Sequence, residues 1–404
     1  MLASPPVSIA APGSPVHVAA ARLRAMREGD KTIRFASGSG LTWGEAVAAC
    51  MMEAAERCSA QHFGNERLHR AQAARVGDDA ILPTDLSLIS DRQYAGRVRW
   101  NGRHRGLNRL SVRWRADQPL DWVAADPELS SEPAWLPAGF CLLGHTRDRR
   151  SGLAPAESSG VAAGATREEA AVRAFLELVE RDAVAIWWYN RVRRPRLSIR
   201  KLAEPLVAAY DDWSRRNRRT LVLHDLTHDL RVPATAALAH DADGGAIAFG
   251  FGAGESLALA ARHAVGELAQ CESNLALIKE RVSEEGVRGL TIEARALLEW
   301  VRSARIGDHP HLIGRSARTV LTGKAVDLDL ATCHAICRRH GLKFIAIDLT
   351  RAEIGVPVVR VVAPGLRPLR ARFAGGRLYD VPVRLRWRSR RCAETHLNPI
   401  PLMV

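Results

Sequence analysis

Three long segments of the chain are apolar on nearly every side and yet carry acidic residues. They begin at Gly40, Gly164 and Gly254, and each has a small polar residue before a run rich in Ala, Leu, Val, Met or Phe. A helix with apolar residues all round is typically buried. Shorter runs that alternate with helical segments have the composition of strands, namely RTLVLHDLT, KFIAIDLT and PVVRVVAP. The pattern predicts an α/β fold that contains three buried helices.

The three segments are copies of one motif. Seven positions of the first two copies match in register, namely Gly40 with Gly164, Thr42 with Thr166, Glu45 with Glu169, Ala46 with Ala170, Glu53 with Glu177, Glu56 with Glu180 and Arg57 with Arg181. The third copy is weaker and keeps Gly254, Ser256, Ala260 and Glu267, with Gln270 and Cys271 at the last two positions. A repeat within one chain indicates a structural unit that is used more than once.

Each copy has the signals of a helix start. Thr42, Thr166 and Ser256 are residues that favour the N-cap, and Glu45 and Glu169 follow three positions after the first two, as in a capping box. Further along the first two helices, carboxylates three residues apart share one face with an arginine one residue later. We therefore expect the acidic side chains of each copy to point in one direction.

The repeated acidic positions suggest a metal site. In a single copy they would indicate an exposed ion pair on a surface helix, but three copies in apolar surroundings predict that the helices converge. The carboxylates that would then meet are those of Glu53, Glu56, Glu177, Glu180 and Glu267. A hard divalent cation such as Mg²⁺ would relieve their repulsion, because it binds carboxylate and phosphate oxygens.

Phosphate is the second expected ligand of this site. Arg57 and Arg181 follow the glutamates and offer forked donors that match phosphate oxygens. A Walker loop, of the form GxxxxGK followed by Ser or Thr, is absent from the sequence. The pattern alone therefore suggests a metal–nucleotide site built from a threefold set of helices.

The blocks that contain these motifs resemble the YcaO superfamily of ATP-dependent enzymes that modify peptide backbones. The signatures SxxExxER, SNGLAAGNTxxEAxxxxxxExxERDA and RAxxExxQ are matched by CMMEAAER, SSGVAAGATREEAAVRAFLELVERDA and HAVGELAQ. Later blocks also fit, namely GLKFIAIDLT, IGVPVVRVVAPGL and NPIPLMV. The resemblance spans residues 35–404 and implies the family fold, in which three repeated helix motifs pack on β-sheet around a nucleotide site.

The resemblance also implies which residues bind ATP and Mg²⁺. The five glutamates would hold the metal, and the nucleotide would contact Ser39, Arg57, Ser158, Ser159, Arg181, Arg262, His263 and Gln270. Three positions depart from the pattern of the family. Gly38-Ser39-Gly40 stands where a Gly-Lys-Gly is usual, Cys50 where Ser is usual, and His263 where Arg is usual. No departure removes a metal-binding carboxylate.

Within the superfamily, the N-terminal block is similar to the subgroup that makes thiazole- and oxazole-modified peptides. The resemblance implies an ATP-dependent cyclodehydratase that converts Cys, Ser or Thr of a ribosomally made precursor peptide to thiazoline or oxazoline. Other backbone modifications, such as thioamide or amidine formation, stay open, as does a degenerate, non-catalytic subunit. The formal charge of +14 also permits a nucleic-acid binder, which nothing except the charge supports.

The C-terminal residues resemble the proline-rich tail of this subgroup only in part. Members typically end in PxPxP, of which Pro399 and Pro401 are present here. The resemblance implies that residues 393–404 enter the active site beside the substrate, where these two prolines would have a catalytic role.

Composition predicts how the rest of the chain is organised. Residues 1–30 contain four prolines and lack the charged start and apolar core of a signal peptide, which predicts a flexible tail on a cytoplasmic protein, followed by a catalytic domain over 31–392. No apolar run is long enough to span a bilayer. Because residues 1–30 are predicted to be only a tail, a separate leader-binding partner protein is expected to hold the precursor peptide. A flavin-dependent dehydrogenase is expected as a further partner where azoles are the product.

Three further segments have two interpretations each. Cys333, Cys337 and His340 share a helical face that suits zinc, but the same pattern fits an ordinary amphipathic helix, which we favour. The basic runs 384–392 and 99–115 suit nucleic-acid contact, but strands with one solvated basic face are the simpler interpretation. Trp187 and Trp188 are expected in the core.

Overall fold

A computed structural model describes residues 1–24, 34–104, 106–148, 151–153, 156–315 and 325–402. Its strands are β1 (Val7–Ser8), β2 (His17–Arg22), β3 (Phe35–Gly40), β4 (His69–Ala71), β5 (Leu120–Ala124), β6 (Trp135–Pro137), β7 (Val161–Ala163), β8 (Arg219–Asp225), β9 (Ala234–Asp241), β10 (Ala248–Ala253), β11 (Ile345–Asp348) and β12 (Val358–Val362). Its α-helices are α1 (Trp43–Ser59), α2 (Ala73–Val76), α3 (Pro83–Ser87), α4 (Asp91–Ala95), α5 (Arg97–Arg103), α6 (Ala138–Cys141), α7 (Arg167–Asn190), α8 (Ile199–Leu202), α9 (Pro205–Arg216), α10 (Leu257–Glu285), α11 (Ile292–Ser303), α12 (Leu330–Arg339) and α13 (Arg377–Arg384). The predicted mixture of helices and sheets is confirmed.

The strands form four three-stranded sheets in the described ranges. Their strand orders are β1-β2-β3, β4-β5-β6, β10-β9-β8 and β11-β12-β7, and every pairing is antiparallel. The sheet of β7 joins a strand from the middle of the chain to two strands from its last third. This pairing ties the second motif to the C-terminal region.

The three motif helices α1, α7 and α10 each pack on two sheets. Each contacts the strand that directly precedes it, which is β3 for α1, β7 for α7 and β10 for α10. Each also contacts the corresponding strand of the next unit, so that α1 reaches β7, α7 reaches β10 and α10 reaches β3. The three units therefore close into a ring, and the helices converge as the repeat predicted.

Glycines allow the helices to lie close to their strands. A Cβ atom on Gly38 would lie 2.2 Å from the backbone nitrogen of Cys50, and one on Gly250 would lie 2.2 Å from the carbonyl oxygen of Ala264. Such distances leave no room for a side chain at either position. The close approach brings side chains of the helix body within reach of the backbone of the strand.

The expected helix caps are confirmed. The cap hydroxyls accept from the backbone N–H three residues later, with distances of 3.2 Å for Thr42 and Glu45, 3.1 Å for Thr166 and Glu169, and 3.2 Å for Ser256 and Leu259. The carboxylates of the first two copies accept from the residue before the cap, at 2.7 Å from Leu41 and 3.0 Å from Ala165. The reciprocal bond of the capping box is thus shifted by one residue.

The second motif helix ends in the main core. Trp187 and Trp188 are fully buried there, with ring centroids 6.1 Å apart, as expected. The Cys333 and Cys337 thiols of α12 are also fully buried, and burial raises the pKa of each to about 12. Neutral thiols in an apolar core favour the amphipathic-helix interpretation over zinc. In the described residues, no helix combines the length and apolarity needed to cross a membrane.

The prediction of a flexible tail over residues 1–30 is wrong for the part that the structure describes. β2 pairs along its whole length with β3, from His17 opposite Gly40 to Arg22 opposite Phe35. Val16 and Val18 are fully buried. Residues 25–30 lie outside the described residues. The N-terminal segment is therefore part of the first repeat unit, because it completes the sheet on which α1 packs.

The two basic runs do not form the predicted strands. The segment before Leu385 is α13, which contains Pro382, and Arg386 then takes a left-handed conformation with φ of 56°. The Arg194 guanidinium lies 3.7 Å from the centre of the Trp387 ring. In the other run, Asn101 lies inside α5. In a short run such as 384–392, alternation does not separate strand from helix.

Candidate nucleotide and metal site

The glutamate that all three motif copies share accepts a hydrogen bond from the backbone of the strand that precedes its helix or, in the second copy, from the residue directly before that strand. The backbone N–H groups that donate are those of Ser37 to Glu53 at 2.5 Å, Gly160 to Glu177 at 2.9 Å and Phe251 to Glu267 at 2.5 Å. The same contact thus occurs three times, once in each repeat unit. In each glutamate one oxygen is fixed by the backbone, and the other is left for a second partner.

The second acidic position of the motif reaches the strand of the next unit. Glu56 accepts at 2.9 Å from the N–H of Ala163 in β7. Gln270, which occupies this position in the third copy, accepts at 2.7 Å from the Ser37 hydroxyl and donates at 3.0 Å to the Ser39 hydroxyl. Ser39, a predicted nucleotide contact, and Ser37, which the sequence did not single out, are therefore joined to the third motif by one amide.

Arg181 lies among the glutamates of two copies. Its guanidinium lies 3.0 Å from Glu177, 3.1 Å from Glu180 and 3.9 Å from Glu267. The Oε1 atom of Glu180 is buried and accepts no hydrogen bond from the described residues, despite the short distance to Arg181. A buried carboxylate oxygen without a hydrogen bond is free to take a cation as a ligand.

Arg57 occupies the equivalent place in the first copy. Its guanidinium lies 2.6 Å from Oε1 of Glu53, and its side chain is 40% exposed. It is therefore much more accessible than Arg181, whose side chain is 16% exposed. Of the two predicted serines, Ser159 lines a small pocket together with Arg181, whereas Ser158 is exposed at the turn before β7.

The remaining predicted contacts lie at the start of α10. Arg262 lies 3.4 Å from Glu45 of the first copy, so it joins the first and third units. His263 interacts through Nδ1 with the carbonyl oxygen of Ala253 at 3.0 Å, and burial lowers its pKa. A neutral histidine in the place of the usual arginine removes one positive charge from this side of the site.

Burial and mutual repulsion leave the glutamates poorly compensated. Burial raises the pKa of Glu56 to about 8, and the nearby Glu177 and Glu53 add to the rise. Burial also raises the pKa of Glu180 to about 8. The nearby Arg181 opposes this rise, and Glu267 adds to it. The pKa of Glu267 is raised as well, chiefly by burial. Such shifts report carboxylates that lack positive partners.

The pKa of the Arg181 guanidinium reflects the same excess of negative charge. Burial lowers its pKa, but Glu180, Glu177 and Glu267 outweigh burial and raise the pKa above its usual range. One arginine is thus surrounded by three carboxylates. The five glutamates interact electrostatically across the repeat units. Carboxylate oxygens are ligands that Mg²⁺ binds, so the chemistry of these residues fits the expected metal.

A second acidic cluster was not anticipated from the sequence. Ligand atoms of Asp121, His145 and Asp148 lie within 4.8 Å of one another, and all three residues are buried. Arg70 donates to Asp121 at 3.1 Å and to Asp148 at 2.7 Å. Because Arg70 and Arg147 already compensate the two carboxylates, we interpret the cluster as an ion-pair network of the fold.

The C-terminal tail folds inward along the end of α7. The indole N–H of Trp188 donates to the carbonyl oxygen of Ile400 at 2.8 Å, and Leu402 is buried. Pro401 is buried and Pro399 is exposed. Trp188 is eight residues from Glu180, about 12 Å along the helix axis. The described part of the tail thus packs along the end of α7, and its entry into the active site stays a prediction. Residues 403–404 lie outside the described residues.

Comparisons with known proteins agree with this architecture. A heterocyclase solved in complex with substrate and cofactor superposes with a TM-score of 0.86 and 32% identity, over 99% of this chain and 55% of that chain. The YcaO protein of Methanopyrus kandleri, solved with AMPPCP and Mg²⁺, shares the fold at a TM-score of 0.60 and 20% identity, over 90% of this chain and 86% of that one. The chain thus spans about half the length of the heterocyclase that it resembles.

The sequence matches lead to the same family. An uncharacterized protein of Methanothermobacter thermautotrophicus is 25% identical over 357 residues, which are 83% of this chain and 82% of that relative. The model of the family described as YcaO cyclodehydratase, ATP- and Mg²⁺-binding, matches residues 37–367. That match contains all three motif helices and covers most of the sequence, and the chain therefore belongs to the YcaO family.

Proposed function

We propose that this chain is an ATP- and Mg²⁺-dependent cyclodehydratase that converts Cys, Ser or Thr of a precursor peptide to thiazoline or oxazoline. The observation that carries the proposal is the ring of five glutamates and two arginines where the three repeat units meet. Membership of a cyclodehydratase family and a heterocyclase of the same fold at 32% identity support it. Raised glutamate pKa values support cation binding at this point.

In this proposal the chain's own residues prepare ATP for transfer of its γ-phosphoryl group. Glu53, Glu56, Glu177, Glu180 and Glu267 would hold Mg²⁺, which when bound neutralises charge on the phosphates. Arg57 and Arg181 now pair with glutamates. Once those carboxylates bind metal, the two guanidinium groups would be released to donate to phosphate oxygens. Ser39, Ser158, Ser159, Arg262, His263 and Gln270 would contact the remainder of the nucleotide.

The proposed reaction closes a ring and transfers one oxygen to phosphate. The Cys thiol or the Ser or Thr hydroxyl loses its proton, and its sulfur or oxygen attacks the carbon of the preceding backbone carbonyl and forms the new ring bond. The former carbonyl oxygen takes the γ-phosphoryl group, which releases ADP. The C–O bond then breaks and phosphate leaves, while the amide nitrogen loses its proton and forms the C=N bond of the azoline. The burial of the cluster would strengthen each of these electrostatic contacts.

Partner proteins are a further part of the proposal. Oxidation of an azoline to an azole removes two electrons and two protons, and carboxylates and arginines cannot accept electrons. A flavin-dependent dehydrogenase would perform that step where azoles are the product. A separate protein would bind the leader of the precursor peptide. Pro399 and Pro401 would keep the tail extended beside the substrate.

Peptide-dependent ATP turnover tests the proposal. The purified chain would be mixed with ATP, Mg²⁺, the leader-binding partner and the Cys- or Ser-rich peptide encoded beside its gene. We expect phosphate release and the loss of one water per modified residue by mass spectrometry. Replacement of oxygen by sulfur would indicate thioamide formation instead. A peptide that stimulates no phosphate release would contradict an enzymatic role and favour a non-catalytic subunit.

A further inference from the structure

A small pocket borders the carboxylate cluster at Arg181. Its volume is about 110 Å³, and Ser159, Leu178 and Arg181 line it on the side of the second motif. The opposite lining comes from β12 and the loop after it, including Arg360 and Arg370. Because Arg181 also donates to the glutamate cluster, this pocket opens directly beside the proposed phosphate site.

A larger cavity lies between α5, α11 and the C-terminal tail. Its volume is about 880 Å³, within the range of about 300–1,000 Å³ that is usual for ligand sites. One face of α11 lines it through Ile292, Ala296 and Trp300, and Ile400 and Leu402 line it from the tail. The tail thus forms a wall of this cavity.

Arg370 lies at the junction of the two spaces, because it lines both of them. Its Nε donates to Oε2 of Glu157 at 3.0 Å, and its side chain is 23% exposed. The pocket beside Arg181 and the cavity at the tail are therefore neighbours, separated by one half-buried ion pair. The larger space thus lies toward α11 and the smaller one toward Arg181, on either side of the Arg370 side chain.

The walls of the larger cavity suit an extended peptide. Ile292 is 51% exposed although it is a large apolar residue. The same lining includes Arg103, Arg191 and Arg295 and also the acidic residues Glu293, Glu299 and Asp308. Within the described ranges none of these three arginines has a carboxylate within 4.0 Å. Apolar surface beside arginine donors can hold peptide side chains and backbone carbonyls at the same time.

We propose that these two spaces form the path by which the precursor peptide reaches the carboxylate cluster. The residue that is cyclised lies in the small pocket beside Arg181, and the adjoining segment lies in the larger cavity against Ile400 and Leu402. This assignment rests on the proposed function, since it takes the substrate to be a peptide. Arg370 acts at the junction as a positioning residue.

Filling the cavity from α11 tests this path. Ala296→Trp places a large side chain into the cavity, and the matched control Ala294→Trp makes the same change on the same helix outside the cavity lining. We expect kcat/KM for the peptide to fall on the order of tenfold or more in Ala296→Trp, because small misplacements of reacting groups are costly. The Kd of the ATP analogue AMPPCP and the kinetics of Ala294→Trp should stay at wild-type values. Unchanged peptide kinetics in Ala296→Trp would overturn the path.

Arg370 provides a second kinetic test. Because Arg370→Met leaves Glu157 unpaired and removes the side chain at the junction, we expect kcat to fall more than KM rises, and Arg370→Lys to restore part of kcat. A loss of thermal stability with unchanged kcat in the folded fraction would show that the ion pair only supports the fold.

Cross-linking separates failure of the path from failure of the proposed function. A synthetic peptide with one Cys beside a p-benzoylphenylalanine would be irradiated with the chain, AMPPCP and Mg²⁺. Cross-links to α11 and to residues 399–402 would support the path even if the wild-type chain cyclises no peptide, an outcome that would contradict the proposed function alone. Cross-links confined to other surfaces would overturn the path.

Discussion

Glu180 and Asp182 are two residues apart on α7, both are buried, and their surroundings are opposite. Burial and neighbouring carboxylates raise the pKa of Glu180 to about 8. Burial also acts on Asp182, but the Arg377 guanidinium at 2.6 Å and His228 at 3.1 Å hold the pKa of that carboxyl well below its usual range. Asp182 has its positive partners within the chain, whereas Glu180 shares one arginine with two other glutamates.

The difference separates a structural ion pair from a site prepared for a cation. Asp182, Asp229 and Arg377 form a closed network, in which the arginine contacts both aspartates. A chain that folds without metal can keep this network permanently. The glutamate cluster carries more negative charge than its arginines balance, and a divalent cation is the partner that would complete it. Similar carboxylates on one helix thus have different partners, and in the proposed function one contributes to stability and the other to ligand binding.

The largest effect is expected from Glu177→Gln. The change keeps the shape of the side chain but removes a metal ligand, and charge stabilisation by a metal is worth several kcal/mol, so peptide-dependent phosphate release should fall about 100-fold or more. The melting temperature should be unchanged or higher, because the change relieves repulsion. Glu168→Gln, on the exposed first turn of the same helix, is the control and should retain wild-type turnover. Wild-type turnover in Glu177→Gln would contradict the assignment of the glutamate cluster to metal binding, and with it the contrast to the Asp182 network.

Asp182→Asn should act on stability instead. It leaves the buried Arg377 with less compensation, so the free energy of unfolding should fall by about 3–5 kcal/mol, as for other broken buried ion pairs. The surface control Asp212→Asn breaks pairs of a side chain that is 55% exposed and should change stability by less than about 0.5 kcal/mol. Chemical denaturation measures both. Equal stability of the two variants would show that the Asp182 network is not structural.

The pH dependence of the metal-free protein should reflect the two kinds of carboxylate. The folded chain keeps protons on Glu56 and Glu180 up to about pH 8, whereas the unfolded chain releases them near pH 4.5. The native state therefore binds more protons in this window, and stability falls as pH rises through it. The lowered pKa of Asp182 has the opposite effect on stability. Its carboxylate stabilises the folded state at neutral pH and loses that contribution only in acid.

Added Mg²⁺ should oppose this fall in stability with rising pH. The metal binds deprotonated carboxylates, so it should raise the melting temperature more at pH 8 than at pH 6. Thermal melts in EDTA and in Mg²⁺ at the two pH values measure this difference, and Glu180→Gln should reduce it. A Mg²⁺ effect that is the same at both pH values would contradict the assignment of raised pKa values to the binding site.

The repeat explains how much of the site could be predicted. Glu53 and Glu177 occupy the same position in two copies of the motif, so they were expected on the same face of equivalent helices. Helix geometry then predicts that their side chains point in the same direction. The contacts with Ser37 and Phe251 could not be predicted, since they depend on how closely each helix lies on its strand. The partners of Asp182 were missed for a related reason, because Arg377 and His228 are far from it in sequence.

The errors in the fold have the same origin. Val18 belongs to a strand only because residues 35–40 pair with that strand, and the prolines nearby indicated a tail. Around Trp387, a short alternation of apolar and basic residues indicated a strand. Packing of its ring against Arg194 is a long-range contact that the local pattern does not contain.

The most direct test of the account is the position of the metal. Crystals grown with Mn²⁺ and AMPPCP would reveal the ion through its anomalous scattering. The account predicts a peak in contact with oxygens of the Glu53, Glu177 and Glu267 carboxylates, with Arg57 or Arg181 turned to the phosphates of the analogue. An ion bound at Asp121 and Asp148 instead, with the motif glutamates still paired to their arginines, would contradict it.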